Sequence, residues 1–140
     1  MALKVSKVDT WAASIADQPG GLNEKLQALA AAGANLEFVI ARREATQPGT
    51  GVVFVTPIEG AVQRAAKKIG FAKTKSLNTV RVEGPDKPGQ GARMTQAIAE
   101  AGLNLRGLSA AAIGRKFIAH IALDTAAAAS KAAKVLKALK

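Results

Sequence analysis

Bulky apolar residues alternate with small or polar ones through Trp11-Ala12-Ala13-Ser14-Ile15, which places Trp11, Ala13 and Ile15 on one face of a strand. Leu22, Leu26 and Leu29 then recur at helical spacing and predict a helix over about 20–32. Gly33 stands where a helix end turns left-handed, so it stops the run. Asn35 to Arg43 is rich in β-formers (Leu36, Phe38, Val39, Ile40), and Gln47-Pro48-Gly49 makes a turn. Val52-Val53-Phe54-Val55 reads as a buried strand. Val62, Ala65, Ala66 and Ile69 mark a second helix that ends at Gly70, and Phe71 to Lys75 can close as a short strand.

The same order then returns. An offset of 69 aligns Asp17 with Asp86, Pro19 with Pro88, Gly20 with Gly89, Gly33 with Gly102, Asn35 with Asn104 and Leu36 with Leu105. An offset of 67 aligns Ala65-Ala66-Lys67 with Ala132-Ala133-Lys134, so the second copy is two residues shorter, most simply in its hairpin. In this copy Val80 and Val82 alternate with Thr79, Arg81 and Glu83. A helix over about 89–101 turns Met94, Ile98 and Ala101 inward, Gly102 ends it, and strands run over Leu103–Ile113 and Lys116–Leu123 around Gly114. A last helix covers about 125–139.

The order is βαββαβ followed by βαββα. That is an α+β chain of two ferredoxin-like modules in tandem, each an antiparallel sheet with helices on one face. The second copy has no closing strand of its own. Leu3, Val5 and Lys7 alternate around Lys4 and Ser6 ahead of the first copy, and this N-terminal strand is expected to cross over and complete the second sheet. The modules are therefore expected at residues 9–76 and at 77–140 with 2–8.

Composition narrows the chemistry. There are 140 residues, 49% of them hydrophobic, with one Trp, four Phe, no Tyr and no Cys. The lack of Cys excludes thiol chemistry, disulfides and thiolate-held metals. No apolar run approaches a membrane span or the core of a signal peptide, so a cytoplasmic protein away from membranes is expected. The net charge is +10 and it is not confined to a tail. Residues 1–76 hold ten Lys and Arg against six acids, and residues 77–140 hold ten against four. Lys131, Lys134, Lys137 and Lys140 recur every third residue and read first as a solvated helix face.

Two stretches carry the candidate chemistry. Asp17-Gln18-Pro19-Gly20-Gly21-Leu22 and Asp86-Lys87-Pro88-Gly89-Gln90-Gly91 each join a strand to a helix. Pro fits the first helical turn, where its missing N–H is no loss, and Gly lets the backbone approach whatever lies above the helix end. These residues with Gly33-Ala34-Asn35-Leu36 and Gly102-Leu103-Asn104-Leu105, an Asp-x-Pro-Gly junction and a Gly-x-Asn-Leu strand entry repeated twice, resemble the ACT domain family. In particular they resemble the tandem ACT pair at the C-terminus of aspartokinases, over roughly residues 3–139.

The resemblance implies a regulatory, allosteric module that binds a free amino acid, assembles as a homodimer and controls an enzyme encoded separately. It also implies a site between the first strand–helix loop of one module and the second strand of another, which makes Phe38 and Ile40 candidate walls. Two features depart from the aspartokinase pattern. No kinase domain precedes the pair, so the chain reads as a free-standing ACT protein. Leu22 and Gln18 of the first copy correspond to Gly91 and Lys87 of the second, which makes the two loops unequal.

An amino acid is a zwitterion, and the residues suit one. Exposed N–H groups near Gly20–Leu22 or Gly89–Gly91 suit its carboxylate. Asp17 or Asp86 suits its ammonium. The amides of Asn35 and Asn104 both donate and accept. Each also has a plainer role: Asp17 and Asp86 as helix caps, Pro and Gly as turn formers, and the Asn pair as turn residues.

Catalysis is not expected. His120 is the only His and falls mid-strand, so it reads as structural. No acids cluster for a metal, and Gly84–Gly91 lacks the Gly-Lys-Ser/Thr of a phosphate loop. No cofactor is implied. Two alternatives remain: a ligand-free dimerisation scaffold, and a basic ferredoxin-like nucleic-acid binder. The latter is not favoured, because base-stacking sheets need exposed aromatics and only Phe117 lies near the second copy's central strands.

Overall fold

The computed structural model describes residues 3–139. Six strands and four helices follow in the order β1 (Lys4–Ala16), α1 (Gly21–Ala31), β2 (Phe38–Arg43), β3 (Thr50–Thr56), α2 (Val62–Lys68), β4 (Ala72–Pro85), α3 (Gln90–Glu100), β5 (Leu105–Ile113), β6 (Lys116–Leu123) and α4 (Ala126–Lys137). The chain divides into two compact units, Asp9–Thr74 and Met1–Val8 with Lys75–Lys140.

Both divisions fall inside strands. The pattern predicts separate strands at Leu3–Lys7 and Trp11–Ile15, and again at Phe71–Lys75 and Val80–Val82. Instead β1 runs unbroken for 13 residues and β4 for 14. Val8-Asp9-Thr10 and Ser76-Leu77-Asn78 contain no Gly or Pro, so nothing in them turns the backbone out of the extended region.

In the unit Asp9–Thr74 the strand order is β2-β3-β1, with both pairings antiparallel. Trp11 lies opposite Val55 and Ala13 opposite Val53, and cross-strand partners share a face. α1 and α2 cover that face and bring Leu29 and Ala66 into one core with Trp11, Ala13, Val53, Val55, Ile58 and Phe71. Leu29 is fully enclosed, and burying such a side chain stabilises by about 1.5–3 kcal/mol.

The other unit repeats the plan with β4-β6-β5, antiparallel throughout and irregular only near Gly107. Val80 and Val82 pair with Ile121 and Ala119 beneath α3 and α4, which supply Met94, Ile98, Ala132 and Leu136. Leu3 is buried in this core and Val5 packs against it, so the N-terminal residues contribute to the second copy's packing. Phe117 is 7% exposed and belongs to the same core, so no aromatic platform of the kind RNA-recognition sheets use is built from it. His120 is buried on β6 opposite Arg81 and Ser109. Among the described residues no helix is long and apolar enough to cross a membrane.

Candidate functional site

Each strand–helix loop is a type II turn. Gly21 N–H donates to Gln18 O at 3.1 Å while Gly20 has φ 85° and ψ −7°, the conformation such a turn demands at its third residue. Gln90 N–H likewise donates to Lys87 O at 3.3 Å around Gly89, with φ 82° and ψ 2°. Pro19 and Pro88 thus preset the second position of a turn and lie outside the helices, not in their first turns as the sequence reading has it. The same geometry removes the capping role from the acids. The N-cap positions are Gly20 and Gly89, neither helix has a side-chain cap, and Asp17 and Asp86 stand three residues earlier.

Asp17 is held at both ends. Its N–H donates to Gly49 O at 3.0 Å, and its carboxylate accepts from Arg43 Nε at 2.7 Å. Arg43 reaches it because it lies opposite Gly51, which lies opposite Ile15, so the end of β2 shares a face with the end of β1. Arg43 is 81% exposed and Asp17 32%, which makes this a surface ion pair worth about 0–1 kcal/mol. A competing ion can open it at little cost. Asp86 N–H makes the corresponding bond to Arg115 O at 2.8 Å, but its carboxylate has no ion-pair partner among the described residues.

A cavity of about 220 Å³ opens beside the first loop, lined by Ile15, Ala16, Asp17, Gln18 and Leu22 from the loop side. Ala41, Arg42, Arg43 and Gly51 of the β2–β3 hairpin form its other wall. The volume is below the roughly 300–1,000 Å³ of drug-sized pockets, so it suits a small metabolite. Among the described residues the N–H groups of Leu22 and Asn23 have no backbone acceptor, as in the opening turn of a helix.

Gly21 permits this shape. A Cβ there would lie 2.0 Å from Ala16 O, so only glycine lets the strand end tuck under the helix start. At the equivalent position of the second copy stands Gln90, 5% exposed. Its Nε2 donates to Pro85 O at 3.1 Å and its Oε1 accepts from Arg93 Nη1 at 2.8 Å. The second loop is therefore filled by its own side chain, where the first is bare.

Not all predicted site residues gather at the first loop. Asp17, Gln18 and Leu22 line the cavity, with Pro19, Gly20 and Gly21 forming the turn beside it. Phe38 and Ile40 do not line it. They pair with Thr56 and Phe54 and alternate with Val39 and Ala41, which puts them on the sheet face opposite the one that α1 covers. Asn35 and Asn104 are exposed and lie before the starts of β2 and β5, whereas the cavity is at the end of β2. Arg43, Ala41 and Gly51 were not foreseen. Their one sequence signal is the Arg42-Arg43 pair closing an apolar strand.

A second and larger recess, about 560 Å³, runs along α2 and is lined by Gly60, Ala61, Gln63, Arg64 and Lys67. None of the predicted site residues lies there.

No family model and no curated protein matches the sequence. Solved structures do match its fold. A protein from Bacteroides thetaiotaomicron superposes with a TM-score of 0.77 at 17% identity, over 93% of this chain and 88% of that one. The ligand-free regulatory subunit of aspartate kinase from Thermus thermophilus gives 0.64 at 19%, over 97% and 95%. A C-terminal regulatory domain of aspartate kinase from Porphyromonas gingivalis, described as putative, gives 0.52 at 16%, over 96% and 94%. The aspartate kinase neighbours are ACT-domain proteins, and the fold of this chain is the tandem ferredoxin-like ACT fold.

Proposed function

We propose that this chain is a regulatory module that senses a free amino acid at the Ala16–Leu22 loop and, as a homodimer, controls a partner enzyme. The Asp17–Arg43 pair in the wall of the 220 Å³ cavity carries this reading. It presents one negative and one positive group side by side, the complement of a zwitterion. The ligand's ammonium takes the place of Arg43 on Asp17, and its carboxylate bridges Arg43 and the free N–H groups of Leu22 and Asn23. Ile15, Ala41 and Gly51 leave apolar room for a small side chain. The second loop, occupied by Gln90, serves as a turn. A neighbour described as a regulatory subunit in its ligand-free form supports a role in sensing rather than catalysis.

The test is a thermal-shift panel of the common amino acids at millimolar concentration. A ligand raises stability by RT ln(1 + [L]/Kd), about 2.7 kcal/mol at a hundredfold excess over Kd. Asp17→Asn is expected to abolish the shift and to leave the unliganded midpoint nearly unchanged, since the pair is exposed. A panel in which no amino acid moves the midpoint removes the reading.

A further inference from the structure

Among the four helices, the excess positive charge lies on two. α2 carries Arg64, Lys67 and Lys68, α4 carries Lys131, Lys134 and Lys137, and neither contains an acid. α1 and α3 are balanced, with Glu24 against Lys25 and Arg93 against Glu100. α4 buries Ala129, Ala132, Ala133 and Leu136, so its three lysines share the outer face. Lys7 of β1 joins them by donating from Nζ to Ser130 Oγ at 2.9 Å. None of these four lysines takes part in an ion pair among the described residues. In the other unit Arg64 and Lys67 line the open recess along α2. The offset of 67 puts Arg64 on Lys131 and Lys67 on Lys134, so both copies place two cations at the same helical positions.

We infer that the outer face of α4, and in the same manner that of α2, binds the phosphate backbone of a nucleic acid without reading its bases. Besides its lysines, the exposed residues of α4 are Ala126, Ala127 and Ser130. Protein interfaces are built on aromatic and Arg anchors and are depleted in Lys, and this face has no such anchor. Phosphate contact asks only for point charges on flexible stems over a flat floor. Lys131 to Lys137 spans about 9 Å of helix axis, enough for two or three phosphates at about 3.4 Å per strand. This is a different surface from the sheet, on which Phe38 and Phe54 lie half-buried on the face away from α1. It is also separate from the loop cavity, so it stands or falls independently of the amino-acid reading.

The experiment is fluorescence anisotropy with a labelled DNA duplex and a labelled single-stranded RNA, titrated over a range of salt. Three phosphate contacts alone predict binding about 40-fold weaker at about 200 mM than at about 50 mM salt. The triple variant Lys131→Gln/Lys134→Gln/Lys137→Gln is expected to keep the wild-type circular dichroism and to lessen the log–log salt slope by about 3. Arg64→Gln/Lys67→Gln should lessen it by about 2. Absence of binding at the lowest salt overturns the inference. So does an unchanged slope in the folded triple variant. Tighter binding to a labelled polyglutamate than to either nucleic acid would make an acidic protein the occupant and overturn it equally.

Discussion

Gly84 of β4 lies directly opposite Phe117 of β6, and a Cβ on Gly84 would stand 2.9 Å from Phe117 Cε1. In the first copy the equivalent pair is reversed: Ile15 holds the bulk on β1, and Gly51 is the bare residue on β3, its missing Cβ 3.0 Å from Ile15 Cγ1. Each copy thus fills one cross-strand site with one large residue and one glycine, on opposite strands. Space is conserved while sequence is not, as close packing requires.

The pair should therefore behave as a unit. Gly84→Ala is expected to cost about 1–3 kcal/mol by overpacking. Leu3 Cδ2, the other near atom, is a flexible side-chain end that can move, so the stiffer Phe117 ring sets the cost. In a Phe117→Leu background the same change should cost less, with a coupling of about 0.5–3 kcal/mol in a urea-unfolding double-mutant cycle. Strict additivity would show that the ring does not limit the site.

The sequence carried what depends on short-range period and punctuation. The repeat, the helix stops at Gly33, Gly70 and Gly102, each at positive φ, and the inward pair Val80 and Val82 follow from spacing alone, whereas Val52-Val53-Phe54-Val55, read as wholly buried, turns only Val53 and Val55 into the core. Four features were not legible, because each needs register or loop geometry. The continuity of β1 and β4 depends on what fails to interrupt them. The partner of Asp17 is Arg43, 26 residues away, reached only through the pairing of Ile15, Gly51 and Arg43. The acids look like caps until the type II turns move each helix start three residues on. Gln90 reads as one more turn residue until its amide is seen to fill the second loop.

Two glycines near the helix starts should respond in opposite directions. Gly21→Ala drives a Cβ to within 2.0 Å of the Ala16 carbonyl oxygen, a backbone atom that cannot swing aside, so the loop must rebuild. Loss of stability together with loss of any amino-acid response is expected. Gly91 lies within α3, and a Cβ there meets nothing within 4 Å. Gly91→Ala should raise stability by about 0.5–1 kcal/mol through the unfolded chain's lost freedom. Thermal melts of the two variants distinguish them directly.

Leu3 tests how far the N-terminal residues belong to the second core. It is 6% exposed and clusters with Val80, Val82 and Phe117. Leu3→Ala is expected to cost about 2–5 kcal/mol, the range of buried leucine truncations. Lys4→Ala, one residue on and exposed, should cost little. Equal, small effects at both positions would mean that the strand end frays in solution and lends the core nothing.

Acid should weaken the fold through Glu83. Its hydrogen bond from Arg81 Nη1 at 3.1 Å, with the charges of Arg81, Lys116 and Lys4 nearby, holds its carboxyl below the ordinary 4.5. A carboxylate whose pKa is lower folded than unfolded contributes stability that is fully present above the unfolded value. That stability is lost as pH falls through the folded one. The melting midpoint should therefore begin to drop below about pH 4.5. Glu83→Gln, which retains a hydrogen-bond acceptor but cannot titrate, should flatten that part of the profile and leave the neutral-pH midpoint only slightly lower. Because the pair is near the surface, salt should shrink the difference between the two profiles. An acid limb identical in wild type and variant would assign the pH response to the other carboxylates and leave Glu83 without a part in it.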